Sequence, residues 1–333
     1  MRRSYLLLAI VAFPLLGVVL LGTEPPAPAA DHHIHVPSEA TAAYLKEAAG
    51  LDLNAKTGKD VVQFLDEAGI EKGVLLSLAY MFGRPGTDVS NEYAKVKQEN
   101  DYVARQAARF PDRLVAFCSV NPLADYALKE MKRCASNTHL EGLKLQLANS
   151  KVDLRDTTDV RRLAEVFATA NQHRLPIVVH LWTGSEYGRK DAEIFIRRVL
   201  PEAPDVPVQV AHMGGAGMFS KTTVDAMEAF AGAIEKGETA MEDVVFDLGA
   251  VTADPSRAMA EGDTTRAERY RTTHRRTARW IKRIGPDRVV FGSDYFARSV
   301  PDYVTTLRAL PLEERVLRDV FDNTAAYLRD GSS

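Results

Sequence analysis

The 333-residue sequence contains little cysteine, little net charge and no internal repeat. Its two cysteines, Cys118 and Cys134, cannot form a disulfide framework in a chain of this length. Cys118 falls in a predicted buried strand and Cys134 in the helix after it, which favours two packed thiols. A single bridge between them in an oxidising compartment is left open by the sequence.

Charge of one sign is also scarce. The formal net charge is only -3, and 46% hydrophobic with 26% charged residues is typical of a globular protein. Nucleic-acid-binding domains normally carry a basic face. The most basic segment here, Arg266–Arg283, has an apolar stripe that predicts a solvated outer helix. We therefore expect a small-molecule substrate and no nucleic-acid partner, and the sequence leaves homo-oligomerisation open.

Long apolar runs are missing except near the N-terminus. Arg2 and Arg3 precede the uncharged run Tyr5–Gly22, and an Ala-Pro-Ala stretch follows at 27–29. This pattern predicts that residues 1–30 are a signal peptide, or an uncleaved membrane anchor. The protein is then exported to the periplasm or the extracellular space, or it is anchored through residues 5–22. An uncleaved anchor is the only membrane contact we expect.

The rest of the chain, residues 31–330, is predicted to form one domain. Short, nearly continuous apolar strands alternate with helical patterns, which indicates a parallel sheet covered on both faces. Eight such units favour an α/β fold of the (β/α)8 TIM-barrel type. The predicted strands are 31–36, 73–78, 114–120, 142–145, 176–181, 208–212, 244–248 and 288–292, and the main helical patterns between them are 60–68, 92–109, 159–173, 192–200 and 223–236.

Histidine is rare, with eight residues, yet it is concentrated on the first strand. Side chains alternate between the two faces of a strand, so Asp31, His33 and His35 are expected to share one face. His32 is expected on the other. Two imidazoles on one inward face can bind a common metal ion.

Other candidate ligands come at later strand ends. His180 ends the fifth strand, His212 ends the sixth and Asp294 follows the eighth. Barrel enzymes carry their catalytic groups at these C-terminal ends, so the side chains are expected to meet at one mouth. Imidazole and carboxylate suit zinc and neighbouring divalent ions. The remaining histidines, His139, His173 and His274, are predicted to lie on the surface.

Several short motifs carry a family resemblance over roughly residues 31–328. They are Asp31-His32-His33-Ile34-His35, Ile177-Val178-Val179-His180, His212-Met213-Gly214-Gly215 and Gly292-Ser293-Asp294-Tyr295, with Asn100-Asp101 and Asn121-Pro122 as supporting matches. The sequence resembles the amidohydrolase-related family of the amidohydrolase superfamily. That branch also contains decarboxylases similar to aminocarboxymuconate-semialdehyde decarboxylase.

The resemblance implies one divalent metal ion, with Zn²⁺ preferred, held by four ligands: His33, His35, His180 and Asp294. Asp294 would also accept the proton of the attacking water. The resemblance places His212 just outside the metal, where it would polarise a carbonyl or stabilise an oxyanion.

Lys144 ends the fourth strand, where binuclear members of the superfamily carry a bridging carboxylated lysine. The alternative is a lysine that pairs with a carboxylate or an anionic substrate, and the overall pattern favours one metal. Three more residues at strand exits, Arg84, Trp182 and Tyr295, are candidate substrate-binding residues. Arg84 is suited to hold a substrate carboxylate, although a solvated loop arginine is an equal interpretation.

The first functional hypothesis is a metal-dependent hydrolase of esters, lactones or amide-like substrates. The alternative is a metal-dependent non-oxidative decarboxylase of unsaturated or aromatic acids. A barrel that binds metal without catalysis would be expected to have lost part of the motif set, and every expected position is occupied.

Overall fold

The computed structural model describes residues 27–295 and 299–329. The apolar run of the predicted signal or anchor segment lies outside these residues. Within them, no helix is both long enough and apolar enough to cross a membrane.

Eight strands alternate with helices along the chain. The strands are β1 Ala30–His35, β2 Lys72–Leu76, β3 Leu114–Ser119, β4 Gly142–Gln146, β5 Ile177–His180, β6 Val208–Val210, β7 Val244–Asp247 and β8 Val289–Val290. The α-helices are α1 Glu39–Ala49, α2 Gly58–Ala68, α3 Glu92–Ala108, α4 Ala127–Ala135, α5 Thr157–Gln172, α6 Arg189–Arg198, α7 Lys221–Glu235, α8 Pro255–Ala260, α9 Thr264–Ile284, α10 Val300–Arg308 and α11 Glu314–Asp322.

Each strand pairs in parallel with the next, in the order β1 to β8. Apolar side chains on the outer face of the strands pack under the helices, as Leu143 and Leu145 do in β4, while Lys144 between them faces the barrel interior. The predicted (β/α)8 barrel is therefore confirmed, and all eight predicted strands are present.

The barrel closes irregularly between β8 and β1. On its other edge, the register of β1 with β2 is interrupted by a β-bulge between Asp31 and Ile34. The amide of Asp294 donates to the carbonyl of His33 at 2.9 Å. The Asp31 carboxylate accepts from the amides of Ser293, at 2.9 Å, and His33, at 3.1 Å. The Asp31 carboxylate is thus held at this seam by backbone amides.

One sequence expectation about the histidines needs correction. His274 was predicted on the surface, but it is buried because it lies on the inner face of α9, where Nε2 contacts the carbonyl of Ala253 at 3.1 Å. The amphipathic character of α9 is confirmed, since Trp280 and Ile281 are buried on that face. His139 is exposed, as expected, and His173 is half-buried.

The two cysteines behave as predicted. Cys118 lies in β3 and Cys134 in α4, and both are buried free thiols.

Candidate metal centre

The two histidines of β1 meet inside the C-terminal mouth of the barrel. Nε2 of His33 lies 3.2 Å from Nε2 of His35. Nδ1 of His33 contacts Oδ2 of Asp247 at 2.9 Å, and Nδ1 of His35 contacts the carbonyl of Leu76 at 3.0 Å. These acceptors hold the ring protons on Nδ1, so both Nε2 lone pairs are directed to one point.

Asp294 joins them from the loop after β8. Its Oδ1 is 3.5 Å from Nε2 of His33 and 3.6 Å from Nε2 of His35. Its backbone φ is 56°, a left-handed conformation that is uncommon outside glycine and concentrates at functional sites. The side chain is 20% exposed, whereas that of His33 is fully buried. Asp294 is therefore the carboxylate at the solvent side of the cluster.

His180 and His212 complete the group from β5 and from the turn after β6. Their ring centroids are 4.4 Å apart, and the ring of His212 is 4.8 Å from that of His33. His212 also has a left-handed backbone, with φ of 54°. Nε2 of His180 is buried, and no hydrogen-bond partner for it exists among residues 27–295 and 299–329. A buried nitrogen lone pair without a donor fits a metal ligand.

The predicted site residues therefore lie together. The distances do not separate the four expected metal ligands from His212, which was expected just outside the metal. Ligand atoms of His33, His212 and Asp294 all lie within 4.8 Å of one another. His212 is as close to the centre as the residues expected to bind the metal. Its assignment as a partner outside the metal stays a prediction.

Burial favours the neutral form of the imidazoles of His33, His35 and His180. It lowers the pKa of His35 and His180 well below the ordinary histidine value, and the neighbouring imidazoles and Lys144 lower both further. Burial also lowers the pKa of His33, although Asp247 opposes it. Neutral imidazole is the form that binds a metal ion, so the cluster is ready to bind one at neutral pH.

Asp247, at the end of β7, is a site residue that the sequence reasoning missed. Burial alone would raise its pKa, but His33, His212 and the hydrogen bonds that they donate hold it well below the usual range. It is therefore a buried carboxylate anion. Its place at a strand end is the signal that could have identified it, since His180, His212 and Asp294 were found in the same way.

Lys144 also reaches the cluster, with Nζ 3.3 Å from Nε2 of His33. Its side chain is 1% exposed. Burial lowers its pKa to about 8, while Asp247 and Asp294 oppose that shift. A lysine at this place is compatible with both sequence interpretations, an anionic substrate partner or a second-metal ligand.

The three remaining substrate-binding candidates differ. Trp182 is half-buried at the exit of β5 and packs against the main core. The ring of Tyr295 packs on Phe64 of α2, at 4.6 Å between centroids, on the outer side of the barrel. Arg84 is exposed, and its guanidinium has no ion-pair partner within the described part of the chain. Within the described part of the chain, neither Arg84 nor the Tyr295 ring makes a hydrogen bond, ion pair or ring contact with the metal-ligand cluster. This cluster consists of His33, His35, His180, His212 and Asp294.

Comparisons with known proteins agree with this site. The sequence profile of the amidohydrolase family matches residues 30–328. The structure is similar to 5-carboxyvanillate decarboxylase from Sphingomonas paucimobilis, with 17% identity, a TM-score of 0.58, and coverage of 88% of this chain and 96% of that one. It is also similar to 2,6-dihydroxybenzoate decarboxylase from Rhizobium, with 16% identity, a TM-score of 0.55, and coverage of 90% and 97%.

A third similar structure is a probable 2-pyrone-4,6-dicarboxylic acid hydrolase from Acinetobacter baumannii, with 15% identity, a TM-score of 0.54, and coverage of 88% of this chain and 99% of that one. A comparison with curated proteins found no significant match. The chain belongs to the amidohydrolase family and is an enzyme of the amidohydrolase superfamily. The family and the cluster of histidines with Asp294 together support a divalent metal ion as its cofactor.

Proposed function

We propose that this enzyme is a metal-dependent hydrolase that attacks an ester, lactone or amide-like carbonyl carbon with water. One divalent ion, with zinc expected, would be held by His33, His35, His180 and Asp294. The observation that carries the proposal is the group of buried imidazoles, with lowered pKa values at His33, His35 and His180, beside the partly exposed carboxylate of Asp294. When bound, such an ion lowers the pKa of a water ligand to about 7 and so supplies a nucleophile at neutral pH.

Asp294 and His212 would carry the proton and charge transfers. Asp294 is the carboxylate nearest the solvent side, so it would accept the proton of the attacking water and pass it to the leaving group. In His212, Nδ1 lies 2.7 Å from the carbonyl of Gly249, which can only accept a hydrogen bond. Nε2 of His212 would therefore face the substrate. With a proton on each ring nitrogen, His212 would stabilise the developing oxyanion.

Lys144 supports an anionic substrate. Its buried ammonium lies beside His33, where Asp247 and Asp294 favour its charged form. A substrate carboxylate placed there would form a charge-assisted hydrogen bond. We therefore propose substrates that combine a hydrolysable carbonyl group with a carboxylate.

Non-oxidative decarboxylation of an unsaturated or aromatic acid is the second candidate, and the same buried ammonium favours it. Lys144 would hold the carboxylate of such an acid next to the metal site. The fold neighbours include both decarboxylases and a probable hydrolase, so their names favour neither reaction. A 5-carboxyvanillate decarboxylase from Novosphingobium aromaticivorans, 12% identical with a TM-score of 0.58, was solved with bound manganese. The screen that tests the function should therefore include manganese as well as zinc.

The test is a screen of the full chain, loaded with zinc or manganese, against carboxylated esters, carboxylated lactones and unsaturated or aromatic acids. We expect hydrolysis, and Asp294→Ala should lower the rate by about 10²–10⁴-fold while leaving the fold intact. Asp52→Ala is the control, because the Asp52 side chain is 77% exposed in a surface pair with Lys46. Release of carbon dioxide without hydrolysis would establish the second candidate, and unchanged turnover of the Asp294 variant would contradict its role.

A further inference from the structure

The carboxylate of Asp247 binds two of the histidines of the metal-ligand cluster at once. Its Oδ2 accepts from Nδ1 of His33 at 2.9 Å and from Nε2 of Gln209 at 2.6 Å. Its Oδ1 accepts from the amides of His212 and Gly249, both at 2.9 Å. Four donors therefore surround one fully buried carboxylate.

The Oδ2 contacts determine the tautomer of His33. The side-chain nitrogen of Gln209 can only donate, so Oδ2 is an acceptor there. A carboxylate anion has no proton to give to His33, so Nδ1 of His33 carries the ring proton. Nε2 is then unprotonated and is directed to His35 and Asp294, as a metal ligand requires.

The Oδ1 contacts fix the turn that carries His212. The amides of His212 and Gly249 both donate to this oxygen, and the carbonyl of Gly249 in turn accepts from Nδ1 of His212 at 2.7 Å. This closed set of bonds holds His212 in its left-handed conformation, with φ of 54°. It also leaves Nε2 of His212 on the side of His33.

Two glycines leave the room that this arrangement needs. A Cβ at Gly249 would lie 2.9 Å from Oδ1 of Asp247 and 3.2 Å from Nδ1 of His212. A Cβ at Gly292 would lie 3.0 Å from Cβ of His33 and 3.3 Å from Cβ of Asp247. Any other residue at either position would displace the carboxylate or one of its histidine partners.

We propose that Asp247 is a positioning residue that sets the tautomer of His33 and the orientation of His212 together. Asp247 acts through these two histidines. The proposal rests on the proposed metal site, but it concerns the histidines themselves and is measurable without substrate. Partners of this kind typically change metal affinity by about 10–100-fold when they are removed.

The variant Asp247→Asn tests the proposal because it keeps the size of the side chain. With its amide oxygen still accepting from the backbone amides of His212 and Gly249, the asparagine would direct its NH2 group at His33 and Gln209. Nδ1 of His33 would then have to become an acceptor, and its proton would move to Nε2. We expect zinc affinity, measured by competition with a chelator, to fall by about 10–100-fold. Nitrogen-15 NMR of labelled histidine in the metal-free protein should show His33 changing from the Nδ1–H to the Nε2–H tautomer.

Glu130→Gln is the matched control. Glu130 is also a fully buried carboxylate, but it binds Asn100 and Arg133, away from the histidines. This change should reduce stability and leave zinc affinity and the His33 tautomer unaltered. Equal zinc affinity and an unchanged His33 tautomer in Asp247→Asn would overturn the proposal.

Two further measurements distinguish a failure of this proposal from a failure of the proposed function. If the wild-type protein binds no zinc or manganese, the proposed metal site fails, and the tautomer change in metal-free Asp247→Asn still tests Asp247. If that variant does not fold, the wild-type spectrum decides. His33 in the Nδ1–H tautomer supports the proposal, and the Nε2–H tautomer contradicts it.

Discussion

His32 has a structural role although it lies directly before His33, an expected metal ligand. Nδ1 lies 2.9 Å from the carbonyl of Phe291, and Nε2 accepts from the amide of Ala325 at 3.1 Å. One donor and one acceptor are what a neutral imidazole offers, so both ring nitrogens are satisfied away from the metal. Burial lowers the pKa of His32 to about 4, although hydrogen bonds to the backbone oppose the shift.

This pKa predicts how His32 affects stability as pH changes. The unfolded chain binds a proton at His32 near pH 6.5 and the folded chain only near pH 4. The stabilisation is therefore complete above pH 6.5 and is lost as pH falls toward 4. Between pH 7 and pH 5 His32 should contribute a loss of about 2 kcal/mol in the free energy of unfolding.

The measurement is urea unfolding of the metal-free protein at pH 7 and pH 5, for the wild type and for His32→Asn. The asparagine amide retains a donor for the carbonyl of Phe291, so the variant should fold with lower stability at pH 7. Its stability should fall less than that of the wild type between the two pH values. Equal losses in the two proteins would show that His32 does not titrate as described.

At this scale the sequence predicted which histidines lie together better than it predicted their hydrogen-bond partners. His33 and His35 were visible because two histidines alternate on one strand. Asp247 is a lone carboxylate in an apolar strand, and its contact with His33 spans 214 positions in the chain. His274 was misplaced because a polar residue on a basic helix suggests solvent, and its acceptor, the carbonyl of Ala253, is known only once α9 is packed.

Asn100 shows how one side chain joins several elements near the mouth. Its Oδ1 accepts from Oγ of Ser77, after β2, at 2.7 Å and from the amide of Ser119, at the end of β3, at 2.8 Å. Its Nδ2 donates to the carbonyl of Ser119 at 3.1 Å and to Oε1 of Glu130 in α4 at 2.8 Å. Asn100 thus ties helix α3 to two strand ends and a neighbouring helix.

Replacing Asn100 with leucine should be strongly destabilising. The apolar side chain has a similar size, but the Ser77 hydroxyl and the Ser119 amide would lose the acceptor that they share, and Glu130 would keep Arg133 but lose the amide of Asn100. Each unsatisfied buried group costs about 1–3 kcal/mol, so we expect a total loss of about 3–5 kcal/mol. Urea unfolding measures it, with Gln63→Leu on the exposed side of α2 as the control. A loss below about 1 kcal/mol for Asn100→Leu would contradict this account.

The sequence predicted the strands and the long helices, because apolar runs and helical spacing record burial directly. It missed α1, which lies between the predicted strand 31–36 and the predicted helix 60–68. The signals were present: the Ser38 side chain accepts from the amide of Thr41, and Gly50 ends the helix with a φ of 66°. The β1 bulge was not predicted, because it lies in the pairing of β1 with β2, which no local pattern in the sequence records.

For the whole molecule, the parallel barrel converts distant sequence positions into one site. The C-terminal ends of β1, β5, β6 and β8 lie at the same mouth, which is why strand ends alone identified the metal-ligand cluster. Loops carry the substrate-binding residues, and their conformations depend on contacts that no local pattern records. The substrate-binding roles of Arg84 and Tyr295 therefore stay predictions.

The metal ion is expected to stabilise the whole fold. It binds the native cluster and not the unfolded chain, so at 1,000 times its dissociation constant it should add about 4 kcal/mol to the free energy of unfolding. A chelator should therefore lower the thermal unfolding midpoint of the wild type. His180→Ala, which removes a proposed ligand, should show a smaller change with the chelator. An equal change in both proteins would mean that His180 is not a ligand.

The most direct test of the account is the metal content of the purified full-length protein, measured by elemental analysis after incubation with zinc or manganese and removal of free ions. We predict one divalent ion per chain, with His33, His35, His180 and Asp294 as ligands. Two ions per chain would contradict the single-metal site and would assign Lys144 to a second one. The absence of any bound ion would contradict the metal centre itself.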